Sequence, residues 1–179
     1  MIVSGPGVTA APINNQIVLT RNLDITDGAT MTHRHATLHE VYRLDLRVLE
    51  TMSVDAASSI DVSERGYCEN ITHPNTTLGA SSPRAGGSYG GLGGKRLDAG
   101  WQVNATYGDP AYPNEPGSGG GSYDDQAGHG GGLVHISAGA LELHGAVRAD
   151  GENGVYRYYQ TGGGGSGGGI LINVGTLTG

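Results

Sequence analysis

The chain has 179 residues, enough for one domain with a hydrophobic core, and 34 of them are glycine. The glycines follow no strict three-residue period, which excludes a collagen triple helix, and clustered hydrophobic residues argue against disorder. A net charge of −7 leaves no basic surface for a nucleic acid, and the absence of a long apolar run argues against membrane insertion.

Residues 1–16 are predicted to be a lead-in segment that precedes the core. They lack the basic start and the long apolar stretch of a signal peptide, so an export signal would have to lie outside this sequence. Residues 17–179 are predicted to form a single domain.

An Ile-x-x-Gly motif followed by Ala or Thr occurs three times, beginning at Ile25, Ile136 and Ile172. Apolar and polar residues alternate around these motifs, as in residues 44–48, and such alternation is typical of short strands with one buried face. Turns that recur between short strands are typical of a parallel β-helix, which stacks its coils over a column of buried aliphatic residues. We therefore predict an all-β parallel β-helix, or solenoid, with the three isoleucines in one buried column. An antiparallel β-sandwich is the alternative.

Residues 68–129 contain no copy of the motif, and they hold most of the prolines and the single tryptophan. This composition predicts a long Gly/Pro-rich loop insertion packed on one side of the coil. Insertions into solenoids often form the binding face, so this segment is the first place to look for function.

Glycine runs directly precede the last two apolar strands, at residues 130–132 and 167–169. Because glycine permits close approach of one backbone to another, these runs are predicted to be close-packed loops of the fold. Flexible linkers between independent pieces are the alternative.

The order of the glycine-rich blocks resembles the β-solenoid modules of very large secreted or surface proteins of bacteria and protists. The blocks are residues 60–67, 86–94, 107–110, 115–121 and 149–154. The resemblance covers about residues 17–179, and it implies a structural or adhesive role outside the cell or at the cell surface. It supplies no set of catalytic residues.

Four acidic residues lie in the bent, glycine- and proline-rich loops: Asp109, Glu115, Asp124 and Asp125. Clustered carboxylates on bent backbone suit a hard cation such as calcium, which would make the domain a calcium-stabilised spacer. Two carboxylates at the right separation could also cleave a glycosidic bond, so a glycoside hydrolase or lyase is another alternative. The simpler alternative is that these acidic residues only keep the loops solvated.

Five aromatic residues in loops are candidates for ligand binding: Trp101, Tyr107, Tyr156, Tyr158 and Tyr159. Their flat, amphipathic side chains suit stacking on sugars or contact with a protein. They could instead cover the side of the coil. Three sequences in the insertion have the form of N-glycan acceptors, at Asn70, Asn75 and Asn104, which matters only in a secreting eukaryote.

Together these features predict a structural or adhesive module of an extracellular surface or filament protein. Its insertion loops would contact glycans or proteins. The strand at residues 170–177 has no proline or lysine to block pairing, so neighbouring solenoid modules or identical chains are predicted to stack on it.

Overall fold

The computed structural model describes residues 1–12, 15–95, 100–123, 126–157 and 160–179. Within these residues the chain forms strands and no helix. The strands are β1 (Ile2–Ser4), β2 (Thr9–Ala10), β3 (Ile17–Thr20), β4 (Leu23–Thr26), β5 (Thr30–Met31), β6 (Leu44–Val54), β7 (Ser59–Asp61), β8 (Leu133–Leu143), β9 (Ala146–Arg148), β10 (Tyr156–Arg157), β11 (Gln160–Thr161) and β12 (Gly169–Thr178).

Two parallel sheets are formed by strands that alternate between them along the chain. The larger sheet has the order β1-β4-β6-β8-β12, with β3 beside the first half of β6, and the smaller has the order β2-β5-β7-β9. Turns connect the two sheets, and in the turn after β4 both Asp27 and Gly28 have a positive φ, of 59° and 79°. The short strands β10 and β11 form a separate antiparallel ribbon.

The prediction of an all-β, closed parallel β-helix with a loop insertion is wrong. The strands form two separate parallel sheets, a pairing typical of α/β proteins, although the described residues contain no helix. Among the described residues, long segments without a strand of either sheet separate β7 from β8 and β9 from β12. The alternative of an antiparallel sandwich is also wrong, because all pairing within the two sheets is parallel.

The predicted column of three isoleucines forms only in part. Ile136 is buried and lies beside Ile172, but Ile172 is 36% exposed, so the prediction that it is buried is wrong. Ile25 is buried at a different level, beside Val54. The cause is the glycine of the motif: Gly28 makes a turn, whereas Gly139 stays within its strand. The same short motif therefore marks two different backbone conformations.

The hydrophobic core contains the inward-facing side chains of both sheets. Alternate residues of a strand face opposite sides, so each strand contributes every second residue to this core. Fully buried members are Leu23, Ile25, Met31, Leu44, Leu46, Met52, Val54, Ile60, Ile136 and Leu141. Burial of each such side chain contributes roughly 1.5–3 kcal/mol to folding.

A buried histidine anchors the start of β8. The Nδ1–H of His33 donates to the carbonyl oxygen of Arg34 at 2.7 Å, and the backbone N–H of Leu133 donates to Nε2 of His33 at 3.3 Å. Burial is the main cause that lowers the pKa of His33 to about 4, so the ring is neutral at pH 7. His33 thereby fixes the point at which the glycine-rich chain enters the larger sheet.

The glycine-rich segments 116–121, 128–132, 149–155 and 162–168 pack side by side, and we call them the glycine bundle. Gly162, Gly165 and Gly168 donate to the carbonyl oxygens of Val155, Glu152 and Ala149, so every third residue faces the same neighbour. Three residues per turn is the repeat of the polyproline II helix.

Close packing explains why this bundle needs glycine. A Cβ at Gly165 would overlap the carbonyl oxygen of His129, and one at Gly163 would overlap that of Ala85. Neither glycine has a positive φ, so space, and not backbone conformation, excludes a side chain. The glycine runs are packed parts of the fold, as predicted, and not linkers.

Candidate functional site

The turns of the glycine bundle meet at the end away from the sheets. Gly132 and Gly168 lead directly into β8 and β12, so the opposite ends of their segments lie far from these strands. There the N–H of Val155 donates to the carbonyl oxygen of Gln126 at 2.7 Å, and the N–H of Arg84 donates to that of Gly121 at 2.7 Å. We call the surface formed by Arg84, Trp101, Tyr123, Gln126, Tyr156 and Thr161 the loop end.

The loop end exposes two tyrosine rings and includes the guanidinium group of Arg84. Tyr123 is 74% exposed and Tyr156 is 66% exposed. The guanidinium carbon of Arg84 lies 5.8 Å from the centre of the Trp101 ring, within the range of a cation–π contact. Arg84, Tyr123 and Thr161 also line one shallow depression, and Tyr156 pairs with Thr161. The loop end thus combines flat apolar surfaces with polar groups.

Local hydrogen bonds connect the backbone of the loop end to the bundle. The N–H of Gln126 donates to the hydroxyl oxygen of Ser122 at 2.9 Å, which closes the turn that carries Tyr123. Arg84 has a φ of 72°, a conformation that costs a residue with a side chain about 1–3 kcal/mol. The hydrogen bond from Arg84 to Gly121 helps to hold that conformation.

A second group of polar and aromatic side chains lies where the bundle meets the larger sheet, and we call it the inner cluster. Its members are Tyr67, His73, Tyr89, Tyr107 and Glu115. His73 Nδ1 lies 3.1 Å from Glu115 Oε2, and the Tyr67 hydroxyl donates to the same oxygen at 3.3 Å. The Tyr107 ring stacks on His73 with 5.2 Å between centres and contacts Tyr89 at the same distance.

The tyrosines of the inner cluster are kept neutral. Burial, followed by the charge of Glu115, raises the pKa of Tyr67, and burial also raises the pKa of Tyr89 and Tyr107. The hydroxyl of Tyr107 donates to the carbonyl oxygen of Pro116 at 2.6 Å. Tyr107 therefore packs within the molecule, and it does not join Trp101 and Tyr156 at the loop end. Tyr158 and Tyr159 lie outside the described residues.

Two open clefts border the inner cluster. One, of about 370 Å³, is lined by Tyr89, Asp109 and the start of β12. The other, of about 310 Å³, is lined by Arg43, Tyr67 and Glu115. Asp109 and Glu115, which the sequence groups together, thus face different clefts.

The predicted calcium ligands are not brought together in the described part of the chain. Asp109 closes a turn, since its Oδ1 accepts the N–H of Ala111 at 2.8 Å, and Glu115 belongs to the inner cluster. Asp124 and Asp125 lie outside the described residues. Among those that are described, no three His, Cys, Asp or Glu side chains are placed to hold a metal ion. Calcium binding stays a prediction.

The three predicted glycan acceptors have different surroundings. Asn104 is 1% exposed, and its amide bonds to Thr72, Ser81 and Ser118, so it ties the insertion together from inside and could accept no glycan in the folded chain. The side chain of Asn70 accepts the N–H of Ser122 at 2.7 Å, and that of Asn75 donates to the carbonyl oxygen of Thr37 at 3.3 Å.

The sequence did not identify several residues of the loop end and the inner cluster as site residues. Arg84 and Tyr123 follow no motif, although the Gly-Ser-Tyr sequence at Tyr123 indicates an exposed turn. Tyr67 and His73 meet Glu115 across separations of 48 and 42 residues, which no local pattern encodes.

Comparison with known proteins gives no further guide. No family model matches the chain, and no curated protein and no solved structure matches it. The resemblance to secreted β-solenoid modules therefore stays untested. In the part of the chain that the structure describes, no helix is both long and apolar enough to cross a membrane.

Proposed function

We propose that this chain is a structural or adhesive module of an extracellular surface or filament protein, and that it binds a glycan through the loop end. The exposed aromatic surface at the tip of the glycine bundle is the observation that supports this proposal. Exposed Tyr and Trp side chains that are held in place are typical of recognition surfaces.

The bundle provides a rigid support for binding. Its segments are joined by backbone hydrogen bonds, at every third residue between 162–168 and 149–155, and at glycines such as Gly163 and Gly165 the neighbouring segment leaves no space for a side chain. A surface that is already ordered loses less conformational entropy when a ligand binds. The loops can therefore be mostly irregular while the backbone that carries Tyr123 and Tyr156 stays connected to the bundle.

The chemistry of the loop end favours a sugar over an extended peptide. The rings of Tyr123 and Tyr156 offer flat faces for the C–H groups of a pyranose. Arg84 and Thr161 lie beside Tyr123 and offer hydrogen-bond donors for hydroxyl groups. The loop end has no long groove in the described residues that would hold several side chains of a peptide.

The two alternatives gain no support from the described residues. A glycoside hydrolase or lyase that uses paired carboxylates would need them on one cleft, and Asp109 and Glu115 line different clefts. A calcium-stabilised spacer would need a cluster of oxygen ligands, which the described residues do not form.

A glycan array probed with the purified, labelled chain tests the proposal. We expect retention on a defined set of glycans and at least a tenfold loss of affinity for Tyr123→Ala and Tyr156→Ala. Tyr112→Ala is the matched control, because Tyr112 is also 66% exposed but lies in the turn closed by Asp109. Absence of any retained glycan, or equal effects of all three substitutions, would refute the assignment. If proteins are added to the array and the chain is retained specifically on a protein and on no glycan, the partner is a protein and the glycan proposal is refuted.

A further inference from the structure

One edge of the larger sheet is open along its full length. β12 is the last strand in the order and, among the described strands, pairs only with β8. Its apolar side chains Ile170, Ile172 and Leu177 are 38%, 36% and 59% exposed. Natural sheet edges usually carry charges, prolines or bulges that prevent pairing with another chain, and residues 169–178 contain neither a charge nor a proline.

The open edge continues upstream into the glycine bundle. In residues 162–168 most backbone N–H groups donate to neighbouring segments, but those of Gly164 and Gly167 have no backbone partner among the described residues. A Cβ at Gly167 would meet only the carbonyl oxygen of Ala149, at 3.7 Å, so the space beside it is open. The cleft of about 370 Å³ lies here, lined by Tyr89, Pro110, Pro113, Gly167 and Ile170.

Residues 162–178 already have one neighbour, residues 128–143, and this neighbour shows what kind of segment fits beside them. Gly128 and Gly131 donate to the carbonyl oxygens of Gly163 and Ser166, which places the two segments parallel. A few residues later β8 pairs in parallel with β12. One continuous segment, residues 128–143, thus packs its glycines against residues 162–168 and then pairs its strand β8 with β12.

Glycine in the partner is required for this contact. A Cβ at Gly131 would lie 2.5 Å from the backbone nitrogen of Gly168, and one at Gly128 would lie 2.9 Å from that of Gly165, both closer than such atoms approach in proteins. A segment with side chains at these positions could not approach closely enough to form the hydrogen bonds. After the glycines, alternating apolar residues are needed to extend the row in which Ile136 lies beside Ile172.

We propose that the β12 edge binds, in parallel, an extended segment of a partner protein in which a glycine run leads directly into an alternating apolar strand. The unpaired edge of β12 provides the main-chain hydrogen bonds. The N–H groups of Gly164 and Gly167, which have no backbone partner among the described residues, can donate to carbonyl oxygens of that segment, and the close approach of the two backbones favours glycine at its upstream residues. This interaction does not involve the loop end, which lies at the other end of the bundle.

Fluorescence anisotropy with a labelled peptide tests the interaction. The probe has the sequence of residues 126–143, which contains a glycine run followed by a strand, and the binding protein is the full chain. We expect saturable binding, and we expect no binding of a peptide of the same composition with its glycines dispersed. Equal binding of the two peptides, or no saturable binding of the first, would overturn the proposal.

Substitutions at glycines with open surroundings locate the site. Gly167→Leu fills the cleft at the start of β12 and is expected to weaken peptide binding at least tenfold. Gly94→Leu is the control, because a Cβ at Gly94 meets nothing within 4 Å and no strand edge is nearby in sequence. If Gly167→Leu lowers the melting temperature, Thr176→Lys, at an exposed position of β12, replaces it. Binding that is unchanged in a folded variant of either kind would refute the assignment to this edge.

Discussion

Replacement of single glycines by alanine tests whether the bundle is held by close contact of its backbones. A Cβ at Gly165 would overlap the carbonyl oxygen of His129, so the two segments would have to separate. Overpacking of this kind costs about 1–3 kcal/mol. The hydrogen bond from Gly165 to Glu152 would be strained as well, which adds about 0.5–1.5 kcal/mol. We therefore expect Gly165→Ala to lower the free energy of unfolding by about 1.5–4.5 kcal/mol.

Gly167→Ala is the matched control in the same segment. The nearest atom to its new Cβ is 3.7 Å away, which is an ordinary contact. Because alanine also reduces the entropy of the unfolded chain, this variant should be unchanged or more stable by up to about 1 kcal/mol. Urea denaturation followed by tyrosine fluorescence measures both values. Equal stability of Gly165→Ala and Gly167→Ala would show that the glycine segments are not close-packed in solution.

Three other predictions concern the core, the insertion and metal binding. Ile136→Ala should cost about 2–5 kcal/mol because Ile136 is buried, whereas Ile172→Ala on the open edge should cost clearly less in the same urea titration. Asn104→Ala leaves buried hydroxyl groups without their partner and should cost about 1–3 kcal/mol, with faster hydrogen exchange in residues 81–88 by mass spectrometry. If Asp109 or Glu115 binds calcium, millimolar calcium must raise the melting temperature above its value in excess chelator, and equal values in a calorimeter would exclude such a site.

Much of the strand content could be predicted from the alternation of apolar and polar residues. The arrangement of the strands in two separate sheets could not. Residues 44–48 alternate because one side of β6 is buried, and the structure places a strand there. The motif that suggested repeated coils fails because Gly28 lies in a turn whereas Gly139 lies in a strand. The arrangement of the sheets depends on contacts between segments that are far apart in the sequence, and such contacts leave no local pattern.

The candidate site residues also include some whose surroundings could be predicted from the sequence and others whose surroundings could not. Tyr156 is exposed, as expected for a binding residue, although it lies in the short strand β10 and not in the predicted loop. The interior position of Tyr107 depends on His73 and Tyr89, which approach it from separate parts of the insertion. Burial of Asn104 depends likewise on partners as distant as Thr72. A sequence pattern can therefore identify aromatic candidates, but it cannot say which of them pack inside.

The glycine bundle cannot supply its own hydrophobic stabilisation, because glycine has no side chain to bury. Each of its hydrogen bonds contributes about 0.5–1.5 kcal/mol, which is similar to the entropy that each glycine loses on folding. The bundle must therefore be stabilised through its connections to the sheets, at Leu133, where His33 accepts a hydrogen bond, and at Gly169.

The pKa of His33 is about 4 in the folded chain against 6.5 in the unfolded chain, so the unfolded state binds the proton first as the pH falls. Stability should fall as the pH is lowered from 6.5 to 4, by up to about 3 kcal/mol, and the protection of residues 128–132 against hydrogen exchange, relative to the intrinsic rate at each pH, should fall over the same range. His33→Gln removes the titrating group and should flatten both profiles. A pH profile that is the same in both proteins would show that the anchor at β8 does not control the bundle.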